Sequence, residues 1–179
     1  MQVVHVPAKL NADIDLPDEY LDSLPDTVAV FTTIQLIDNL ESFVEQIEAS
    51  GTETKVLKTG HTRNEGQVLG CNVQPWQEYS EVDFDDFAYI GDGMFHPRAL
   101  LWKNEDKNVY GHNPFNETNY VIDDEEIGDI RQKYHAAVST FHMEDQIGVL
   151  VTTKPGQMML QRAFDLEDEY PDKEFYYFI

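Results

Sequence analysis

The sequence predicts an α/β fold, a parallel sheet with helices on its faces. Short β-rich runs alternate with stretches whose apolar residues recur at helical spacing, and glycine or proline closes most of the runs. An apolar content of 41% in 179 residues supplies enough side chains for one or two compact domains. Strands separated by helices pair in parallel, and such sheets hold their binding residues in the crevice at the strands' carboxyl ends.

The first clear run is Thr27-Val28-Ala29-Val30-Phe31-Thr32-Thr33. It is followed by Leu40, Phe43, Val44 and Ile47 at helical spacing and a stop at Gly51, which makes one strand–helix step. Thr54 to Leu57 reads as a second strand, Phe87 to Ile90 as a third ending at Gly91, and Asn108 to Tyr110 as a fourth ending near Pro114. Between the last two, Pro97 to Lys103 forms a short helix, with proline tolerated in its first turn. The longest helix is expected over Glu125 to Met143, turning Ile127, Ile130, Tyr134, Val138 and Phe141 toward a core. Ile147 to Thr152 reads as a further buried strand, Met158 to Glu169 as a helix, and Phe175 to Ile179 as a final strand. At the other end, Val3 to Pro7 reads as a strand with nothing before it to pair with, so both ends look cut from something larger.

The charge narrows the function. Acidic residues outnumber basic ones 34 to 12, a net charge of −22, so phosphates would be repelled instead of exchanging counterions for Lys and Arg. Nucleic acid is therefore not expected as a partner. The acidity is spread over Asp18–Asp26, Glu78–Asp86, Asp123–Asp129 and Asp165–Asp172, as on a halophile's solvated surface. No stretch approaches the roughly 20 apolar residues of a membrane helix. The start, Met1-Gln2-Val3-Val4-His5, has neither the charge nor the apolar run of a secretion signal. A cytoplasmic location and no membrane partner are expected, and a single unpaired cysteine suits a reducing compartment.

That cysteine, Cys71, closes Gly66-Gln67-Val68-Leu69-Gly70-Cys71, where two glycines allow a tight turn that presents the sulfur at a loop. The placement suits a metal ligand better than a packing group. One thiolate cannot hold an iron–sulfur cluster, so any such role must be shared with another domain or chain. Other candidates sit in loops after strands: Thr32, Thr33 and Gln35; Gly60-His61-Thr62-Arg63; Gly91 to Pro97; and Thr152 to Gln157. His96 could make a structural hydrogen bond to backbone or act near a substrate. Lys154-Pro155-Gly156-Gln157 could be a plain strand-to-helix turn, or its backbone N–H groups and Lys154 could receive a carboxylate. His61 and Arg63 read as an exposed loop or as contacts to substrate. His5, His112, His135 and His142 have no metal-like spacing and read as structural. A dinucleotide loop, a Gly-Lys-Ser/Thr phosphate loop and a nucleophile elbow are all absent.

Three blocks carry a resemblance. Gly66-Gln67-Val68-Leu69-Gly70-Cys71-Asn72, Tyr89-Ile90-Gly91-Asp92-Gly93-Met94-Phe95-His96-Pro97 and Val151-Thr152-Thr153-Lys154-Pro155-Gly156-Gln157 stand in that order. Together they resemble the diphthamide-synthesis radical enzymes, 2-(3-amino-3-carboxypropyl)histidine synthases. The resemblance implies three similar α/β domains, each giving one cysteine to a [4Fe-4S] cluster whose remaining iron is open to S-adenosylmethionine. It further implies a 3-amino-3-carboxypropyl radical that attacks a histidine of elongation factor 2, in a homodimer or a pair of related subunits. Cys71 matches the middle domain's iron ligand; if S-adenosylmethionine is the ligand, Lys154, Gly156, Gln157 and His96 are the candidates to hold it, the Lys154–Gln157 turn through the carboxylate of its methionine part. Asp92 stands where the resemblance leads one to expect a small hydroxyl residue.

On this reading residues 1–24 are the tail of a first domain or a linker, 25–146 a central α/β domain, and 147–179 the start of a third. The source is expected to be a salt-adapted archaeon. The chain alone is not expected to be active. A catalytically inactive scaffold or binding module derived from that enzyme is the alternative, and a small-molecule-binding α/β domain without a cluster a weaker one.

Overall fold

The computed structural model describes residues 6, 8–10, 12–60, 62–70, 79–152 and 159–179. The chain divides into two compact units, Pro7–Asp129 and a second made of residues 1–6 with Ile130–Ile179.

In the larger unit, α1 (Asp18–Leu21) precedes β1 (Thr27–Thr32), α2 (Leu40–Ala49), β2 (Glu53–Lys55), β3 (Asp86–Ile90), α3 (Phe95–Leu101), β4 (Val109–Asn113) and β5 (Thr118–Ile122). The helix α4 (Asp124–Met143) starts here and continues past the boundary at Asp129. The sheet has the order β2-β1-β3-β4-β5, and its first four strands are parallel. The α/β architecture expected from the sequence is therefore present.

The central strands are buried along their length because both faces of the sheet are covered. Alternation sends Ala29, Phe31, Phe87 and Tyr89 to one face, where they meet Leu100, Leu101 and Ile127. It sends Val28, Val30, Ala88 and Ile90 to the other, against Phe43 and Ile47 of α2 and against Leu16 and Tyr20. Tyr20 is fully buried and donates its hydroxyl to the Tyr110 carbonyl at 3.1 Å.

The sequence gives no sign of β5, which runs antiparallel to β4 and forms the far edge of the sheet. A four-residue turn, Pro114–Glu117, closes this hairpin with Glu117 at φ 56°, a left-handed conformation that glycine normally takes. Strand β2 is also shorter than the Thr54–Leu57 run suggests, spanning Glu53–Lys55.

The smaller unit holds the rest of α4, β6 (Gln146–Leu150), α5 (Leu160–Glu169) and β7 (Glu174–Phe178), with β6 and β7 parallel. Ile147, Val149, Phe175 and Tyr177 share the half-buried face, where Tyr177 packs edge-on against Phe164 at 5.1 Å and donates to the Ala163 carbonyl at 3.2 Å. Two expectations are corrected here. Strand β6 is not buried: Leu150 is 89% exposed, because among the described residues its sheet has two strands and the second face is open. Nor does α4 turn its whole apolar stripe to a core. Ile127 is buried, while Ile130 and Tyr134 beyond the boundary are exposed. Phe141 is half-buried, edge-on to Tyr170 at 5.0 Å. The expected strand over residues 3–7 lies outside the described residues except for Val6.

Candidate functional site

The chain passes from β1 to β2 on one side and later to β3 on the other, so the strand order reverses between β1 and β3. In open α/β sheets the crevice at the carboxyl ends of such a pair is where ligands bind. Thr32 ends β1 there. Its hydroxyl donates to the Ile90 carbonyl at 2.6 Å, its N–H donates to the Gly66 carbonyl at 2.7 Å, and its own carbonyl accepts the Val68 N–H at 3.0 Å. The segment Gly66–Val68 thus runs alongside the end of β1 as a one-residue parallel bridge through Gln67.

The loop is fixed from within as well. Thr59, 1% exposed, donates to the Gln67 carbonyl at 2.8 Å, and Thr62 donates back to the Thr59 carbonyl at 2.9 Å. Asn64 donates through its side-chain amide to the Gln67 side-chain oxygen at 3.1 Å. Gly66 has φ +65°, a left-handed conformation that favours glycine, and a Cβ there would stand 2.5 Å from a terminal methyl of Leu40, which would have to shift.

From the β3 side come Gly91 and α3. Gly91 donates its N–H to the His112 carbonyl at 2.9 Å. Tyr89 donates to the Asp92 carbonyl at 3.1 Å, and Asp92 accepts the Asn113 side-chain amide at 3.0 Å, so this carboxylate is tied to the last residue of β4. His96, in the first turn of α3, accepts the Gly70 N–H on Nδ1 at 2.8 Å. A backbone N–H can only donate, which fixes His96 as the neutral Nε2–H tautomer in this bond. Partial burial also lowers its pKa, favouring the neutral ring.

Of the residues picked out from the sequence, the structure brings Thr32 and His96 to the crevice. Cys71, His61, Lys154, Gly156 and Gln157 lie outside the described residues. Arg63 is exposed, and Gln35 is exposed with its carbonyl accepting the Leu10 N–H. His112 is structural: it is 2% exposed, 2.7 Å from the Asn119 side chain and tilted against Tyr20 at 5.5 Å. Sequence reasoning passed over Thr59 and named Gln67 and Phe95 only as members of quoted loops, giving neither a role of its own. The two polar residues carry no pattern that separates them from ordinary loop residues, and Phe95 is adjacent to the flagged histidine.

Among the described residues no group of three or more His, Cys, Asp or Glu side chains could hold a metal ion. With one cysteine in the chain, a [4Fe-4S] cluster would fit here only as a shared group, to which this polypeptide could bring at most one cysteine. No helix among the described residues is long and apolar enough to cross a membrane.

The family model of the diphthamide synthesis proteins matches residues 1–179. The chain belongs to this family. Within it, the chain is similar to subunit 1 of 2-(3-amino-3-carboxypropyl)histidine synthase from Candida albicans, at 26% identity over 128 residues covering 69% of this chain and 29% of that protein. The Schizosaccharomyces pombe subunit 1 is 29% identical over 93 residues, 49% of this chain and 21% of its own length. Among solved structures, Dph2 from Pyrococcus horikoshii superposes with a TM-score of 0.66 at 28% identity, covering 89% of this chain and 46% of that one. A second Dph2 structure, with a 4Fe-4S cluster, gives 0.65. The match thus spans less than half the length of each of these diphthamide synthesis proteins.

Proposed function

We propose that this chain gives one iron ligand, Cys71, to a [4Fe-4S] cluster completed by cysteines outside it, and forms part of an S-adenosylmethionine pocket. The reaction served is transfer of a 3-amino-3-carboxypropyl group to a histidine of elongation factor 2. The observation that supports this reading is that Gly66–Val68 is held against the carboxyl end of β1 and Gly70 against His96 of α3, immediately before the only cysteine in the sequence.

When bound, the cluster supplies the electron for reductive cleavage of S-adenosylmethionine. The chain's own residues do the holding. Cys71 acts as a thiolate ligand. His96, with Nδ1 occupied by Gly70, keeps Nε2–H as a donor toward a carboxylate or carbonyl oxygen. The Lys154 ammonium and the backbone N–H groups of Gly156 and Gln157 suit the carboxylate of the methionine part. Residues 25–146 serve as the central domain of the larger arrangement and 147–179 as the beginning of the next, with 1–24 joining from before. A second copy or a related subunit completes the enzyme, in the cytoplasm of a salt-adapted archaeon.

The test is anaerobic incubation of the complete protein with S-adenosylmethionine, a reductant and elongation factor 2, followed by mass spectrometry of the target peptide. The expected result is a histidine carrying the 3-amino-3-carboxypropyl group. An unmodified histidine, from protein with a full cluster, contradicts the reading.

A further inference from the structure

We propose that Phe95 and His96 form a clamp on Gly70 that sets the direction in which the chain leaves the sheet toward Cys71, making both of them positioning residues for the sulfur. The inference deepens the proposed function and rests on it for the purpose of the clamp, though not for the clamp itself.

Two separate contacts meet at Gly70. Its N–H donates to His96 Nδ1 at 2.8 Å. The Phe95 ring lies so near its Cα that a Cβ would stand 2.3 to 2.8 Å from three ring carbons. Both side chains come from the first turn of α3, which is seated by buried Ala99, Leu100 and Leu101 and by the Arg98–Glu126 ion pair. Two residues earlier, Val68 is fixed to a different element through its N–H bond to the Thr32 carbonyl. The stretch 68–70 is therefore gripped at one end by β1 and at the other by α3. Core packing does not account for Phe95, which is 64% exposed. An exposed ring gains little burial energy from lying over a glycine.

The geometry makes a specific demand of position 96, an acceptor where Nδ1 stands. Asn places its side-chain oxygen near that point, whereas Gln reaches to the position of Nε2 and Leu offers no acceptor.

Amide hydrogen exchange in the full chain reads the clamp directly. His96→Leu is expected to speed exchange at Gly70 by about tenfold or more while Val68 stays near its original rate, and His96→Asn is expected to restore protection where His96→Gln does not. Because Cys71 is the only cysteine, its alkylation rate reports the sulfur alone. That rate should change by about threefold or more in His96→Leu and return in His96→Asn. Should His96→Leu unfold, the pair Gly70→Ala and Gly70→Ala/Phe95→Ala takes its place: the first should alter the alkylation rate and the second should reverse the change by making room. Unchanged exchange at Gly70, rescue by Gln as good as by Asn, or an alkylation rate indifferent to all of these would overturn the clamp. None of these readouts needs iron, so absence of iron binding would defeat the proposed function and leave the clamp standing.

Discussion

The Thr32 hydroxyl donates to the Ile90 carbonyl oxygen at 2.6 Å, so a side chain joins β1 to β3 where their ladder ends. Both partners are fully buried. Thr32→Val keeps the shape and removes the donor, leaving a buried carbonyl short of one bond. Stability should fall by about 1–3 kcal/mol, measured as a lower urea midpoint with unchanged slope. An unchanged midpoint would mean that the bond contributes nothing to this junction.

Gly111 on β4 stands opposite Tyr120 on β5, and a Cβ there would meet the Tyr120 ring at 2.2 Å. The tyrosine fills the space the glycine leaves, and its hydroxyl is buried with no partner among the described residues. Gly111→Ala must displace the ring, at an expected cost of about 1–3 kcal/mol. Thermal melting checks this: the variant should melt lower, while Gly111→Ala combined with Tyr120→Leu should recover part of the loss.

The larger unit was legible because its central strands are the simplest kind to read. Val28–Phe31 and Phe87–Ile90 are continuous apolar runs, and burial on both faces is what such runs mean in a parallel sheet. Strand β5 was hidden by Thr118 and Asn119, polar residues tolerated on an edge, and by a turn whose left-handed residue is Glu117 instead of glycine. The same rule misled in the smaller unit. Ile147, Val149 and Leu150 look like a buried strand, but an open two-stranded sheet leaves Leu150 in solvent. At the site, the glycines around residues 66–70 marked a constrained loop. That Phe95 and His96 converge on Gly70 depends on a crossing between β3–α3 and a loop some 26 residues earlier, which local pattern does not encode.

Titration should set limits on stability from both sides. Burial lowers the His96 pKa, so the folded state resists protonation. Its contribution is complete above the ordinary value of about 6.5 and is lost as pH falls below that toward the lowered folded value. Burial pushes Tyr79 and Tyr120 up to about 12, Asp92 adding to the effect at Tyr120. Their contribution is complete below the ordinary tyrosine value of about 10 and is lost as pH rises from there through about 12. Urea midpoints measured across pH should therefore decline on both sides of a plateau between about pH 7 and 10. His96→Asn should flatten the part of the acid decline just below pH 6.5, and an acid limb identical to that of the parent chain would remove His96 as its cause.

If Cys71 is an iron ligand shared with cysteines beyond this sequence, cluster content depends on its sulfur. Iron and acid-labile sulfide are to be determined in the complete protein after anaerobic reconstitution, with and without Cys71→Ala. The substitution is expected to remove the bound [4Fe-4S] cluster or leave only a fraction of it, with the fold intact by circular dichroism. Full iron and sulfide in the alanine variant would show that Cys71 is not an iron ligand.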